Sequence, residues 1–181
     1  MATLEQARTL GGIGSILMLL TIMPLAGTVL GIIGLILVLI AIKYISEVVG
    51  DESIFKNYLI AVILSIVSLI VGSVLGVAGM LGGFGMMGMG GPGAGLMRIF
   101  LSMIAVLVVV WILSIISAVF IRRSFNSIAS AINVKMFSTA ALLYLIGAIL
   151  MIAFGIGTII SFIGIILQII AFFQIPVKKE G

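Results

Sequence analysis

The chain has 181 residues, of which 64% are hydrophobic and 8% are charged, and its formal net charge is +4. Soluble domains are about 25% charged, so this composition excludes a water-soluble globular fold and predicts an integral membrane protein. His and Cys are both absent, which removes imidazole bases, thiolate nucleophiles, disulfides and ordinary zinc sites, and we therefore predict that the chain is not an enzyme and binds no cofactor.

The predicted elements are transmembrane helices, because long uncharged tracts separate the charged positions and about 20 residues cross a bilayer. Pro24 interrupts the first tract, and Gly155 and Gly157 interrupt the last, so each predicts a hairpin of two helices. The fold class is then an all-α polytopic transmembrane helix bundle, one membrane domain over residues 1–181. Its six spans are predicted at residues 10–23, 26–45, 58–79, 99–121, 138–154 and 158–175. Because residues 10–23 number only 14, a shallow re-entrant hairpin is an alternative to the first crossing.

The first hairpin resembles the last in sequence. Residues 13–18, IGSILM, match residues 146–151, IGAILM, at five of six positions, and residues 27–45 match residues 157–175 at nine of 19. The Gly-Thr pair that begins both longer blocks is not required by apolar composition. We therefore predict duplicated N- and C-terminal helical hairpins, a parallel repeat because both copies begin at the same face of the membrane. The central hairpin gives no convincing alignment as a third copy.

Small residues form stripes along three spans and predict close helix packing, since small side chains let helices approach in lipid. The stripes are Gly27, Gly31 and Gly34 in the second span, Gly157, Ser161 and Gly164 in the last, and Gly72 and Gly76, spaced as GxxxG, in the third. They pack either within the chain or between the copies of a homo-oligomer. Gln168 is the most polar side chain deep in a span. We predict that it faces the bundle as structural glue, with a substrate or water contact as the alternative.

Residues 80–97 join spans three and four and are predicted to form a Gly/Met-rich outer loop, because they are too rich in glycine for a lipid-facing helix. Thioethers are soft ligands that suit Cu(I), so the candidate metal ligands are Met80, Met86, Met87 and Met89. The alternative is a mobile loop whose methionines pack adaptably against lipid headgroups or a partner protein.

Residues 122–136 form an amphipathic cytoplasmic link. Apolar residues recur there at helical spacing, and the basic residues Arg122, Arg123 and Lys135 stand at its ends. This pattern is typical of an interfacial helix that lies on an anionic leaflet. A cytoplasmic extension of span four would have the same pattern and is the alternative.

The basic residues predict the orientation, because Lys and Arg are in excess in cytoplasmic segments. Six spans place both termini and two links on one face and only Arg98 on the other. We predict a multi-pass protein of the cell membrane with cytoplasmic N- and C-termini, in contact with the lipid bilayer and with anionic headgroups on that side, and no nucleic-acid partner. The basic residues on the cytoplasmic face are Arg8, Lys43, Lys56, Arg122, Arg123, Lys135, Lys178 and Lys179.

Several apolar and glycine-containing segments carry a family resemblance. They are LGGIGSIL at residues 10–17, GLILVLIAIKYIS at 34–46, FSTAALLYLIGAIL at 137–150 and IIAFFQIP at 169–176. The chain resembles the archaeal membrane family catalogued as domain of unknown function 996, over nearly its whole length. The resemblance implies an archaeal multi-pass protein of the cell membrane, and it brings no catalytic residues to carry over.

The functional prediction is a non-enzymatic structural or scaffold subunit that packs with itself or with another membrane protein. The acidic residues all lie outside the predicted spans, whereas ion-driven transporters usually hold acidic groups inside the membrane. A passive channel or small-molecule facilitator is the alternative function, since glycines and hydroxyls can line a path. Cu(I) binding through the outer loop is a third candidate.

Overall fold

A computed structural model describes residues 2–23, 26–90, 92–152 and 156–176, and over these residues it is helical without strands. This confirms the all-α fold class. The helices are α1 (Leu4–Leu19), α2 (Gly27–Val49), α3 (Glu52–Gly90), α4 (Pro92–Ile132), α5 (Met136–Ile149) and α6 (Ile156–Phe173), and short 3-10 turns over Leu20–Ile22 and Leu150–Ile152 extend α1 and α5. Among the described residues, four of these helices, α2, α3, α4 and α6, are long and apolar enough to cross a membrane.

Local side chains and backbone geometry explain several of these boundaries. The Thr3 hydroxyl accepts a hydrogen bond from the Gln6 N–H at 3.2 Å and so caps the start of α1. Gly50, with φ +77°, ends α2 in the left-handed conformation that glycine adopts without strain. The Asp51 carboxylate then accepts the Ser53 N–H at 2.9 Å as α3 begins. Asn133, with φ 55°, makes the corresponding left-handed turn after α4.

The prediction of a loop over residues 80–97 is wrong, because α3 continues through Gly90 and α4 begins at Pro92. Glycine weakens an isolated helix, but here it also lets two helices approach. A Cβ on Gly83 would lie 3.0 Å from the Gly95 carbonyl oxygen, and one on Gly79 would overlap the Ser102 side chain. The close contact between helices offsets the low helix propensity of this segment.

The structure of residues 122–136 also differs from the first interpretation of the amphipathic link, which was a separate interfacial helix. Residues 122–132 continue α4 without a break, and only residues 133–135 separate it from α5. The apolar side of this segment is buried within the bundle, with Phe125 and Ile128 fully inaccessible to solvent. Residues 122–132 are therefore a continuation of α4 and not a separate helix.

The chain divides into two compact units, residues 1–61 with 118–181 and residues 62–117, whose boundaries fall within α3 and α4. In the first unit α1 packs on α2, α5 packs on α6, and α1 also packs on α6. Its core contains an aromatic cluster in which the Phe137 ring lies edge-on to both Phe125 and Phe172, with centroid separations of 5.4 and 5.1 Å.

The second unit contains α3 from residue 62 onward and α4 up to residue 117. Hydroxyls of Ser65 and Ser117 lie 3.0 Å apart and join the two helices. A Cβ on Gly72 would lie 3.1 Å from Val110, so the helices are close at this level as well. Most of the large apolar side chains of this unit are exposed, as expected for helices surrounded by lipid.

Candidate functional site

A chain of hydrogen bonds between two buried polar side chains and one part-buried side chain connects α1, α5 and α6. The Tyr144 hydroxyl donates to Gln168 Oε1 at 2.7 Å, and Gln168 Nε2 donates to Ser15 Oγ at 2.8 Å. Ser15 Oγ in turn donates to the Gly11 carbonyl at 2.7 Å. Gln168 is 1% exposed and Ser15 is fully buried. We refer to Ser15, Tyr144 and Gln168 as the polar network.

The structure places Gln168 between α1 and α5, where its carboxamide bonds to Ser15 and Tyr144. Its partners Ser15 and Tyr144 were not predicted. Both are polar residues inside long apolar tracts, and that is the only signal the sequence offers for them. Ser15 lies 153 positions from Gln168 along the chain, so their contact depends on the packing of α1 against α6.

Two glycines of α1 make room for aromatic rings next to the network. A Cβ on Gly11 would overlap the Phe172 ring, and one on Gly12 would lie 2.7 Å from the Phe173 ring. Phe172 is fully buried. The absence of side chains at these two positions therefore allows α1 to lie against the C-terminal half of α6, which sets the distance between Ser15 and Gln168.

The chemistry of the polar network is that of neutral hydrogen bonding. Its members are a phenol, a carboxamide and a hydroxyl, and each bond uses a donor and an acceptor that burial in apolar surroundings would otherwise leave unpaired. Among the described residues, every buried side-chain nitrogen or oxygen has a hydrogen-bond partner. The network is thus suited to holding three helices in register.

Each terminal hairpin has a pair of glycines where its two backbones are in contact. In the first hairpin a Cβ on Gly14 would lie 2.7 Å from the Gly34 oxygen, and one on Gly34 would lie 2.5 Å from the Gly14 oxygen. In the last hairpin a Cβ on Gly147 would lie 2.8 Å from the Gly157 oxygen, and one on Gly157 would overlap the Gly147 oxygen. Such approach is possible only without side chains.

The central hairpin contains the same arrangement at Gly83 and Gly95. A Cβ on Gly95 would lie 2.6 Å from the Gly83 oxygen and 3.0 Å from the Met87 nitrogen. In every hairpin the first glycine is followed four residues later by a methionine whose backbone nitrogen also faces the second glycine. The three sets are Gly14, Met18 and Gly34, then Gly83, Met87 and Gly95, then Gly147, Met151 and Gly157.

The other predicted packing residues have varied surroundings. Gly27 and Gly31 both face Thr21 at the end of the first hairpin. Ser161 faces Gly147, and a Cβ on Gly164 would make ordinary contacts at 3.5 Å. Gly72 faces Val110, whereas Gly76 has open space where a Cβ would be. Among the described residues, nothing packs against the position that a Cβ of Gly76 would take.

The predicted copper ligands do not form a cluster of described side chains. Met80 is 52% exposed, and Met87 packs against Gly95 about two helical turns, or 10 Å, further along α3. The side chains of Met86 and Met89 lie outside the described part of the structure. The described residues also contain no group of three or more acidic, His or Cys side chains that could hold a metal ion.

The predicted interfacial basic residues are exposed. Arg122 and Arg123 project from α4, and the Arg123 guanidinium lies 5.5 Å from the centre of the Phe120 ring. Lys135 stands in the turn before α5, beside an open cleft of about 720 Å³ that Asn133, Thr139 and Gln174 also line. The cation of Arg123 is thus held over an aromatic face while remaining accessible.

Comparisons with known proteins identify the family and a relative to which the sequence is similar. A family model described as "Protein of unknown function (DUF996)" matches residues 30–166. The chain is also similar to "Uncharacterized protein MJ1644" of Methanocaldococcus jannaschii, with 33% identity over 180 residues that cover 98% of this chain and 97% of the relative. No solved structure matches.

Proposed function

The chain belongs to the DUF996 family, and from that premise we propose that it is a non-enzymatic scaffold subunit of the cell membrane that packs with itself or with another membrane protein. The observation that carries this proposal is the polar network. Its polar atoms are bonded to one another inside the bundle, so they support helix packing rather than a ligand.

The proposed orientation has both termini in the cytoplasm. The exposed basic residues of α4 and of the turn before α5, Arg122, Arg123 and Lys135, belong to the segments that the positive-inside rule assigns to that side. Arg98, near the start of α4, belongs to the opposite face. Anionic headgroups of the cytoplasmic leaflet would be the first molecules that the basic residues meet.

The proposed architecture is a repeat of one helical hairpin in three copies. The sequence supports the N- and C-terminal copies, and the glycine pair with its methionine is a contact that the central hairpin shares with them. Gly83, Met87 and Gly95 make the same contact as Gly14, Met18 and Gly34. This correspondence concerns the contact alone, since the sequence match of the two terminal hairpins aligns Gly34 with Gly164 and not with Gly157. The central copy is longer, since 31 residues of α3 precede Gly83 and only ten of α1 precede Gly14.

The size of the purified protein in lipid nanodiscs tests the scaffold proposal. We expect particles with two or more copies, or with a stoichiometric membrane partner. These should persist when the lipid is increased about tenfold, because a specific assembly survives dilution that separates crowded monomers. A stable monomer that brings no partner through purification would overturn the proposal.

A further inference from the structure

An open groove of about 380 Å³ lies beside the contact between α3 and α4 in the second unit. A Cβ on Gly72 would lie 3.1 Å from the Val110 side chain, so the two helices are close at this level. Leu69, at the edge of the groove, is 73% exposed, which shows that no described residue covers this side of α3. We refer to this feature as the α3 groove. Its lining residues are Ser65, Ser68, Leu69, Gly72, Ser73 and Val110.

The hydroxyl of Ser68 differs from the other serine hydroxyls of this unit. Ser68 is 7% exposed, and the described residues supply no hydrogen-bond partner for its hydroxyl. Because no enclosed polar atom of the described residues is unpaired, the Ser68 oxygen must be accessible from the groove that its side chain lines. Ser65 pairs with Ser117 at 3.0 Å. The remaining hydroxyls each donate to a carbonyl of their own helix at 2.8 Å, and they belong to Ser73, Ser102 and Ser114.

The depth of Ser68 makes an unpaired hydroxyl costly. Ser68 lies 12 residues after Lys56, the last charged residue of α3, and the helical rise between them is about 18 Å. In the proposed membrane location this distance puts Ser68 inside the hydrocarbon core, which is about 30 Å thick. Water is absent there, and an acyl chain in the groove would leave the hydroxyl unpaired. The groove therefore favours an occupant that brings its own hydrogen-bonding groups.

A second copy of this chain has the required chemistry. Copies in one membrane share an orientation, so a two-fold axis along the membrane normal would place α3 beside α3 at the same depth. A hydroxyl both donates and accepts, so a row of serines is complementary to its own twin. No residue that lines the groove is ionisable, so the two faces meet without repulsion between like charges. The small side chains of Ser68 and Gly72 let the helices approach closely.

We propose that the α3 groove is a homodimer interface, in which α3 of a second copy packs beside Ser68 and Gly72 and supplies hydroxyls for hydrogen bonding. This inference rests on the proposed scaffold function and specifies both its partner, a second copy, and the surface that binds it. The contact involves only the second unit of each copy.

Single cysteines test the interface in the full-length protein, because the natural chain has no cysteine. Leu69→Cys places a thiol at the edge of the groove. Val67→Cys is the matched control, since it lies two residues earlier and about 160° away around the same helix. Both variants are oxidised with iodine in native membranes, and disulfide-linked dimers are measured on gels without reductant.

We expect Leu69→Cys to form dimers at least about fivefold faster than Val67→Cys, because a disulfide requires Cα atoms within about 7 Å. Equal cross-linking of the two variants would overturn the inference. If nanodisc particles then still held two copies, or one copy with another protein, the scaffold proposal would stand without this interface. Single-copy particles without a partner, together with absent cross-linking, would overturn both proposals.

A second measurement covers the case in which a cysteine variant does not fold. Copies that carry a donor or an acceptor fluorophore at the C-terminus are mixed in liposomes, and energy transfer reports their association. Ser73→Phe introduces a ring from an exposed position of the groove, whereas Val67→Phe adds the same ring on the other side of α3. We expect energy transfer to fall at least about threefold in Ser73→Phe and to persist in Val67→Phe. Equal transfer in the two variants would contradict the interface.

Ser68→Ala tests the hydroxyl itself. We expect the dissociation constant of the dimer in liposomes to rise about three- to tenfold, which is the usual effect of losing one hydrogen bond between membrane helices. The unfolding temperature of monomeric protein in detergent should not change, because this hydroxyl bonds to no described residue of its own chain. Association as strong as that of the natural chain would overturn the inference.

Discussion

Gln168 is the residue on which the polar network depends most, because it bonds to both other members. We expect Gln168→Leu to destabilise the protein by about 1–2 kcal/mol, since it leaves the part-buried Tyr144 hydroxyl without its acceptor. Thermal unfolding in detergent measures the change. Gln174→Leu is the matched control, because Gln174 lies exposed after the end of α6 and its loss should have little effect.

The double variant Gln168→Leu/Tyr144→Phe distinguishes two contributions to the loss of stability: the loss of the hydrogen bond itself and the cost of leaving the Tyr144 hydroxyl without an acceptor. Removing both partners leaves no unpaired donor, so we expect the double variant to be more stable than Gln168→Leu alone. Equal stability of the two variants would show that the Tyr144 hydroxyl finds another partner or water, and would contradict the role given to this bond.

A second prediction at the residue scale concerns the backbone conformation of Asn133 rather than its side chain. Its φ of 55° is favourable for Asn and Gly and strained for β-branched residues. We expect Asn133→Gly to keep the unfolding temperature and Asn133→Val to lower stability by about 1–2 kcal/mol. The two variants change the same exposed position, so a similar loss in both would mean that the Asn side chain itself matters.

The sequence identified Gln168 but neither of its partners, and the reason is physical. A carboxamide in an apolar tract has few ways to satisfy its four hydrogen-bonding positions alone, so its burial requires other side chains. A Ser hydroxyl can bond to the backbone of its own helix, as Ser15 also does, and so gives no sign of a distant partner.

At the scale of helices, the glycine pairs determine how closely the two arms of each hairpin approach. We expect Gly34→Ala, Gly95→Ala and Gly157→Ala each to destabilise by about 1–3 kcal/mol, because the new Cβ would lie against a carbonyl oxygen and push the backbones apart. Stability in detergent and the yield of folded protein measure the effect.

Two glycines serve as matched controls for these substitutions. Gly76 and Gly93 have no atom within 4 Å of an added Cβ, so Gly76→Ala and Gly93→Ala should leave stability unchanged or raise it by up to about 1 kcal/mol through better helix propensity. If the controls were as damaging as Gly95→Ala, the effect would come from glycine content in general. The central hairpin would then lose its support as a copy of the others.

The long uncharged tracts were sufficient to predict that the chain is helical, because a continuous apolar stretch of about 20 residues matches a helix that satisfies its own backbone in lipid, whereas a membrane strand needs only about 9–11 residues. They were not sufficient to predict where α3 ends. The ten glycines of residues 76–95 indicate a loop when each is counted for its low helix propensity alone. Their role in letting α3 and α4 come close can be recognised only when the contacts with Gly95 and Ser102 of the partner helix are known.

At the scale of the whole molecule, Trp111 is a natural depth probe. It is the one tryptophan of the chain and stands 13 residues after Arg98 and 11 before Arg122. In the proposed orientation these arginines lie at the two interfaces, which would put Trp111 close to the bilayer midplane. We expect its fluorescence to be quenched most by lipids brominated near the ends of their acyl chains. Stronger quenching by headgroup-proximal bromines would place the α4 crossing elsewhere.

The hydrogen bond between Ser15 and Gln168 also has a consequence for biosynthesis. The two residues are 153 positions apart, so at about 5–20 residues per second the ribosome needs roughly 8–30 s to add Gln168 after Ser15. During that interval Gly11, Gly12 and Ser15 have no α6 to pack against. Nascent chains arrested before residue 168 should therefore be cleaved faster by an added protease than the complete chain, because α1 lacks the helix on which it packs.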